Sequence, residues 1–459
     1  MKIGLIAMSG IRVCDAELKA FGLSLPGLIE RGTAIASLPS LALLTIAGMT
    51  PERHQLSYIE IADLNVSGPP SQHFDLVAIS SYSAQISQAY QLASWYLAQG
   101  VPCVIGGPHV SCLPEEASRY CTSVAIGEAE PIWPEILADA EKGQLKKFYG
   151  TRYNDFDLKY SPMPAFDLLE PERYNRVTIQ TSRGCPHRCE FCAASVLLSR
   201  KYRQKPASMV LSEIDRVQSI WERPFIEFAD DNGMSDRRYW HELLPQLKKR
   251  QVRWFLETDI SVGQDSEILR LMQESGCRQV LVGLESPVVQ GMEGMELKRN
   301  WKRDIWPTYR DSVRKIQLHG IRVIGAFILG LDGHGPDVFD QVLDFVAHLE
   351  LFDVQITVQT PFPGTPLYHR LQEEDRLIEP ANWDKCSLFD VNFKPDSMSV
   401  EQLRVGFREL GEKLYNNEAT RIRRGGFKKY MRSALQNQRK GVPDEHHGYS
   451  GSLLPVRSL

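Results

Sequence analysis

The sequence predicts an α/β chain built on two parallel sheets. A doubly wound N-terminal domain of about five strands comes first, then a partial barrel of six strand–helix units, then a small, mainly helical C-terminal region. Three observations lead there. Short apolar runs alternate with helical periodicity through the first 143 residues. A second alternating series begins near Arg176. In both series, glycine- and serine-rich turns follow the apolar runs, where parallel sheets gather their ligands.

In the first series the strand-like runs are 3–8, 56–61, 76–81, 101–105 and 123–126. Ile86, Tyr90, Ala93 and Leu97 recur at helical spacing between two of them, and Gly100 ends that helix. Residues 144–173 carry Pro162, Pro164 and Pro171 among polar residues and read as a linker packed across both domains. The second series, 174–378, has strand-like runs at 177–181, 225–229, 252–258, 278–284, 321–329 and 353–359. Helical stretches at 208–221, 236–249, 265–275, 303–319 and 336–349 separate them, with Gly276 and Gly320 at C-cap positions. Residues 379–440 form the C-terminal region, and a Gly/Ser/Pro-rich tail, 441–459, is expected to be mobile.

Composition excludes several classes. With 459 residues and a net charge of −4, the chain is long enough for two or three cores and has no overall basic field for nucleic acid. No apolar run reaches bilayer length, and the N-terminal Met1-Lys2-Ile3-Gly4-Leu5 reads as a first strand rather than a signal peptide. A cytoplasmic, reducing location follows. Nine cysteines is an odd count, so Cys14, Cys103, Cys112, Cys121, Cys277 and Cys386 are expected to be unpaired thiols.

The chemistry is concentrated in Cys185, Cys189 and Cys192, spaced Cys-x3-Cys-x2-Cys just after the first barrel strand. Three thiolates so close can hold three irons of a 4Fe–4S cube. A ferredoxin-like site would add a fourth cysteine nearby, but none follows until Cys277, so one iron stays open to a reacting ligand. The rivals are weaker. Buried thiols on one helix face would not suit Gly184 and Pro186, and His187 is poorly spaced to complete a zinc site.

With Phe191 just before its last cysteine, this motif resembles the signature of the radical S-adenosylmethionine (radical SAM) enzymes. The resemblance implies that the three cysteines ligate the cluster. It further implies that S-adenosylmethionine chelates the fourth iron and is cleaved to a 5′-deoxyadenosyl radical. It assigns S-adenosylmethionine contacts to Phe191, to Asp230 and Asp231 after the second barrel strand, and to Glu285 after the fourth. It adds Ile328 in the fifth strand and Thr360 after the sixth.

The first domain carries a second resemblance. Ser40-Leu41-Ala42-Leu43, Ile79-Ser80-Ser81, Gly106-Gly107-Pro108-His109 and Ile126-Gly127-Glu128 resemble the flavodoxin-like cobalamin-binding domain found ahead of radical SAM barrels. The implied cobalamin contacts are Ser9, Gly10, Ser80, Ser81, Tyr82, Gly106, Gly107, His109, Gly127 and Glu128. The likeness runs from Met1 to about Leu403 and includes a branch with hopanoid methylases. That domain often carries Asp-x-His-x-x-Gly as a cobalt-ligand motif. Asp332-Gly333-His334-Gly335-Pro336-Asp337 lies in the barrel half and is rejected for that role. The segment 383–388 also lacks the Tyr-Asp and His associated with the branch.

The implied function is methylation of an unactivated carbon of a lipid or secondary metabolite, with one 4Fe–4S cluster, S-adenosylmethionine and cobalamin as cofactors. Two other readings stand beside it: a cobalamin-dependent cyclase or rearrangement enzyme without methyl transfer, and a non-catalytic iron–sulfur protein. A methylthiotransferase would need a second cluster on Cys103, Cys112 and Cys121, whose Gly-Gly-Pro-His context does not match. The implied partners are a flavodoxin or ferredoxin reductant and a small-molecule or lipid substrate. The basic stretch 421–440 reads as a solvated helix or, more sharply, as a peripheral membrane contact. No acid–base residue can be named from sequence.

Overall fold

The computed structural model describes residues 1–10, 13–21, 38–153, 155–194, 199 and 201–439. The tail expected at 441–459 lies outside them. The first sheet contains β1 (Lys2–Met8), β2 (Gln55–Ile61), β3 (Leu76–Ser80), β4 (Cys103–Gly106), β5 (Ser123–Ile126) and β6 (Phe148–Gly150). All are parallel, in the order β2-β1-β3-β4-β5-β6. Alternate residues face opposite cores, as a doubly wound sheet requires. Ile6, Ile79 and Ile105 pack beneath the helix Ile86–Ala98, while Leu5, Ala78 and Val104 pack against Trp133 and Ile136. Strand order reverses between β1 and β3, the switch point at which such sheets bind ligands.

β6 corrects the sequence reading, which placed 148–150 in the linker. Three residues ending in glycine carry no strand periodicity. Pairing with β5 and the Tyr149 hydroxyl, which donates to Asp139 at 2.8 Å, fixes them as an edge strand.

The second sheet starts with β7 (Val177–Ile179). A short antiparallel pair, β8 (Ser182–Arg183) and β9 (Arg203–Gln204), brackets the cysteine loop. Then follow β10 (Phe225–Phe228), β11 (Arg253–Thr258), β12 (Cys277–Glu285), β13 (Arg322–Leu329) and β14 (Asp353–Val358). The parallel order β14-β13-β12-β11-β10-β7 makes an open six-stranded barrel. Val280, Val282, Leu284, Val323 and Val354 pack outward on the helices. The intervening Glu257, Gln279, Gly283, Ala326, Ile328 and Gln355 stay half-buried or exposed and face inward.

The helix expected at 303–319 is broken into Trp301–Ile305, a 3₁₀ turn Trp306–Thr308 and Tyr309–Leu318. Pro307 is the cause: it lacks an N–H and cannot donate to the carbonyl four residues back.

After the barrel, the turn Trp383–Lys385 packs on the N-terminal turn Ser83–Gln85. Asp390 accepts the backbone N–H groups of Cys14 and Asp15 at 2.9 and 2.8 Å. Two helices, Val400–Tyr415 and Asn417–Arg439, complete the described chain. Among the described residues no helix is long and apolar enough to cross a membrane.

Candidate active site

The cysteine loop leaves β8 through Gly184, whose φ of +85° is a left-handed value; a Cβ there would lie 2.5 Å from the Lys201 carbonyl. Two aspartates hold the loop's base. Asp230 accepts from the N–H of Thr181 at 2.7 Å, the N–H of Ser182 at 2.8 Å and the Thr181 hydroxyl at 2.5 Å. Asp231 accepts the Gly184 N–H at 2.8 Å.

The far side of the loop is stitched to residues 295–297. Cys189 bridges Glu296, Glu190 N–H donates to the Met295 carbonyl at 2.8 Å, and Leu297 N–H donates to the Arg188 carbonyl at 2.9 Å. Glu190 also pairs with Arg370 at 2.6 Å.

Burial pushes the Cys185 thiol up to about 11 and the Cys189 thiol up to about 12, and each is raised further by its neighbours among the three cysteines. These thiols therefore stay protonated until a metal displaces the proton. Among the described residues no three His, Cys, Asp or Glu side chains converge tightly enough for a single ion. A cube makes no such demand, because each thiolate binds a different iron. The next cysteine, Cys277, begins β12 at the opposite end of the barrel and is 3% exposed. The donor set suits a cluster with one open corner.

Glu285 ends β12 at φ +62°, where the register between β12 and β13 shifts. Lys302 pairs with its Oε1 and donates to the Gly283 carbonyl at 3.2 Å. Glu285 Oε2 carries no hydrogen bond among the described residues and is open to a ligand donor. His187 stacks on Trp301 at 3.9 Å, so the segment 301–302 braces the cysteine loop and Glu285 together.

One interior group was missed by sequence reasoning. Glu257 in β11 is exposed, yet burial, followed by the Glu227 and Asp231 carboxylates, pushes it up to about 7. It makes no hydrogen bond or ion pair among the described residues, whereas Glu227 pairs with Arg176 at 2.6 Å. Tyr82, at the end of β3, behaves the same way. Its ring is 60% exposed, but burial and the Glu227 carboxylate raise its pKa. Tyr82 and Glu257 both keep open surface and both lie within electrostatic range of the Glu227 carboxylate, so the strand ends of the two sheets face each other across a shared chamber. Tyr82 reaches it from the N-terminal sheet, and Asp231, Glu257 and Glu227 from the barrel.

The two halves are fastened beside this chamber. Arg183 of β8 pairs with Glu128 at 2.8 Å and with Glu130, and Arg203 of β9 pairs with Glu128 at 2.9 Å. The second Glu128 oxygen accepts from Arg203 and from the Phe156 N–H, each at 2.9 Å.

Several of the expected contact residues have protein partners in this geometry. Glu128, expected at cobalamin, is engaged in the inter-domain network. His109, expected at the corrin edge, is 1% exposed; its ring nitrogens meet Ser83 at 3.0 Å and Glu116 at 3.2 Å, and Trp383 packs against it. Asp230, expected at the methionine amino group, is 3% exposed and directs both oxygens at the loop base; burial raises it to about 6. Thr360 is 4% exposed and donates to the Val358 carbonyl at 2.9 Å. Phe191 packs on the core edge, and Ile328 lies half-buried on the inner barrel face.

In the N-terminal sheet, Ser80 and Gly106 are half-buried at strand ends and Ser81 is 2% exposed. Ser9 N–H bonds the Ile61 carbonyl at 2.9 Å, and Gly10 packs against Ala62. Gly127, at φ +79°, leaves no room for a Cβ beside the Thr151 carbonyl. Cys103 and Cys121 are in the core, 0% and 2% exposed, which removes them as ligands of a second cluster.

Gly107 has φ +117°, and a Cβ there would lie 2.7 Å from the Ser81 carbonyl; at Gly106 it would meet only Ala125, at 3.6 Å. Gly107→Ala should therefore cost about 1–3 kcal/mol, and Gly106→Ala should be close to neutral. Denaturant melts of both variants check this. Equal melts would show that the Gly107 backbone is not strained.

Comparison with known proteins agrees with this arrangement. The family model described as the Radical SAM superfamily matches residues 179–346, which contain the cysteine loop and the strands β10–β13. The chain carries a radical SAM domain. A domain of unknown function (DUF4070) matches 365–447, downstream of the radical SAM match. Bacteriochlorophyllide d C-12(1)-methyltransferase of Chlorobaculum tepidum is 28% identical over 396 residues, covering 85% of each chain. Hopanoid C-2 methylase of Rhodopseudomonas palustris is 29% identical over 360 residues, covering 76% of this chain and 67% of that protein. Two solved structures share the fold along nearly all of this chain. The methyltransferase TsrM from Kitasatospora setae, with cobalamin and a [4Fe-4S] cluster bound, has a TM-score of 0.61 at 15% identity, covering 95% of this chain and all of that one. OxsB, with aqua-cobalamin and S-adenosylmethionine bound, has a TM-score of 0.63 at 15% identity, covering 96% and 71%. At that identity the likeness is one of fold.

Proposed function

We propose that this chain is a cobalamin-dependent radical SAM enzyme that methylates an unactivated carbon of a lipid or other small molecule. The observation that carries this reading is a three-cysteine loop on one parallel sheet, joined at its base to the strand-end loops of a second parallel sheet. Arg183, two residues before Cys185, reaches Glu128 after β5, so the cysteine loop leaves the barrel at its joint with the N-terminal sheet. The methylase names of relatives that align along most of the chain support it.

When bound, the cluster and cobalamin supply the radical-forming electron and the methyl carrier. The protein's own part is placement. The three cysteines give up their protons to bind the cluster. Asp230, Asp231 and Glu296 fix the loop that holds them. Lys302 orients Glu285 so that one oxygen stays open to ribose hydroxyls. The Glu128–Arg183–Arg203 network closes the joint between the halves and keeps water from the chamber.

The test is turnover with methyl-deuterated S-adenosylmethionine and candidate substrates. Each methylated product should appear with one S-adenosylhomocysteine and one 5′-deoxyadenosine. Deoxyadenosine formed with a cyclised or rearranged, unlabelled product would replace methyl transfer by the cyclase reading. No deoxyadenosine at all would leave only a binding protein.

A further inference from the structure

We propose that the face formed by Arg188, Leu297, Lys298 and Arg299 is the docking surface for a small acidic protein that delivers single electrons to the cysteine loop. The inference rests on the radical SAM reading above. Radical formation at that loop consumes one electron, which an external donor has to supply at a surface close to the cysteines.

The base of the loop is fastened to the N-terminal domain through Arg183 and Glu128. The outer side is the two-stranded stitch of 188–190 with 295–297. Leu297 lies opposite Arg188, the residue next to Cys189, so the face lies within roughly 10 Å of that cysteine along and across the stitch.

The surface chemistry of this face is cationic around an apolar centre. Arg188, Lys298 and Arg299 are exposed, and none makes an ion pair among the described residues. Neighbouring cations are neutralised: Arg303 pairs with Glu293 at 2.9 Å and Arg370 with Glu190 at 2.6 Å. Leu297, between these cations, is 48% exposed. An apolar centre ringed by unpaired cations suits a partner with an acidic rim around its redox centre.

The face is also rigid. The Glu296 carboxylate is 7% exposed and accepts the N–H of Arg188 at 3.0 Å and that of Arg299. A preorganised patch loses little entropy on docking. The step itself balances simply. The donor is oxidised by one electron and the cluster site is reduced by one; no bond is made or broken.

The test uses the reconstituted full-length protein and a recombinant flavodoxin as probe. Titration calorimetry measures affinity at low and high salt. Stopped-flow absorbance measures cluster reduction by flavodoxin hydroquinone, with dithionite as the small-molecule comparison. Lys298→Glu/Arg299→Glu should weaken flavodoxin binding and slow its electron delivery roughly tenfold or more, while reduction by dithionite stays at the wild-type rate. Wild-type affinity should fall with salt. Lys428→Glu/Lys429→Glu, on the distant C-terminal helix, should change neither. If the double reversal misfolds, Lys298→Gln and Arg299→Gln carry the test, each weakening binding about two- to threefold.

Wild-type affinity in the reversal variant, equal loss in the distant variant, or no flavodoxin binding by wild type would overturn the proposal. Flavodoxin binding as expected, but no deoxyadenosine with dithionite, would defeat the enzymatic reading and leave the docking surface standing.

Discussion

A triple alanine variant at Cys185, Cys189 and Cys192 is expected to purify with iron and sulfide at background while keeping the wild-type fold. Both halves of that expectation come from the loop's construction. The cysteines are its only thiols, and the next one in sequence, Cys277, sits at the far end of β12. The loop's shape does not depend on them. Asp230 holds Thr181 and Ser182, Asp231 holds Gly184, and Glu296 holds Arg188. Losing three thiols should therefore shift the denaturation midpoint little, and far-ultraviolet circular dichroism should match wild type. Iron and acid-labile sulfide assays after anaerobic reconstitution decide the matter. A full cluster retained by the variant would mean the ligands are elsewhere.

Arg183→Glu is expected to lower stability strongly. The guanidinium joins Glu128 and Glu130, whose side chains are 10% and 5% exposed, and Arg203 shares Glu128. Reversal leaves Glu130 buried beside a new negative charge. Breaking a buried pair in this way costs about 3–5 kcal/mol; the partial exposure of Arg183 places the expected loss near the lower end. Arg183→Lys keeps the charge but loses the planar fork that reaches two carboxylates, so a smaller loss should follow. Because Arg183 precedes Gly184 and Cys185, cluster retention should fall together with stability. Denaturant unfolding measures the first and iron content the second. A reversal variant with wild-type stability would show that the two halves are held by other contacts.

How much of this was legible in the sequence depends on how local each signal is. Eleven of the strands were visible because buried parallel strands are short apolar runs bounded by turns, and five helices because their apolar faces repeat every three to four residues. The cysteine spacing is likewise a property of one short loop. Positions after strand ends were legible too, since Ser80, Gly106 and Asp231 do lie at ligand-gathering edges.

The tertiary structure alone decided which of those residues remain available to a ligand. A short motif shows that His109, Glu128 and Asp230 are close to strand ends, but not that Ser83 and Glu116 occupy the imidazole, that two arginines from the barrel occupy Glu128, or that the loop base occupies Asp230. Glu257 and Lys302 are the converse: an isolated glutamate within a strand and a lysine in a charged run read as solvated. Barrel closure turns the first inward among carboxylates, and the bend at Trp306–Thr308 brings the second to Glu285. Local periodicity determines which elements form, because burial of apolar faces depends on near neighbours. The availability, charge and pKa of a polar group depend on what is packed against it from distant parts of the chain, and only the folded arrangement sets that.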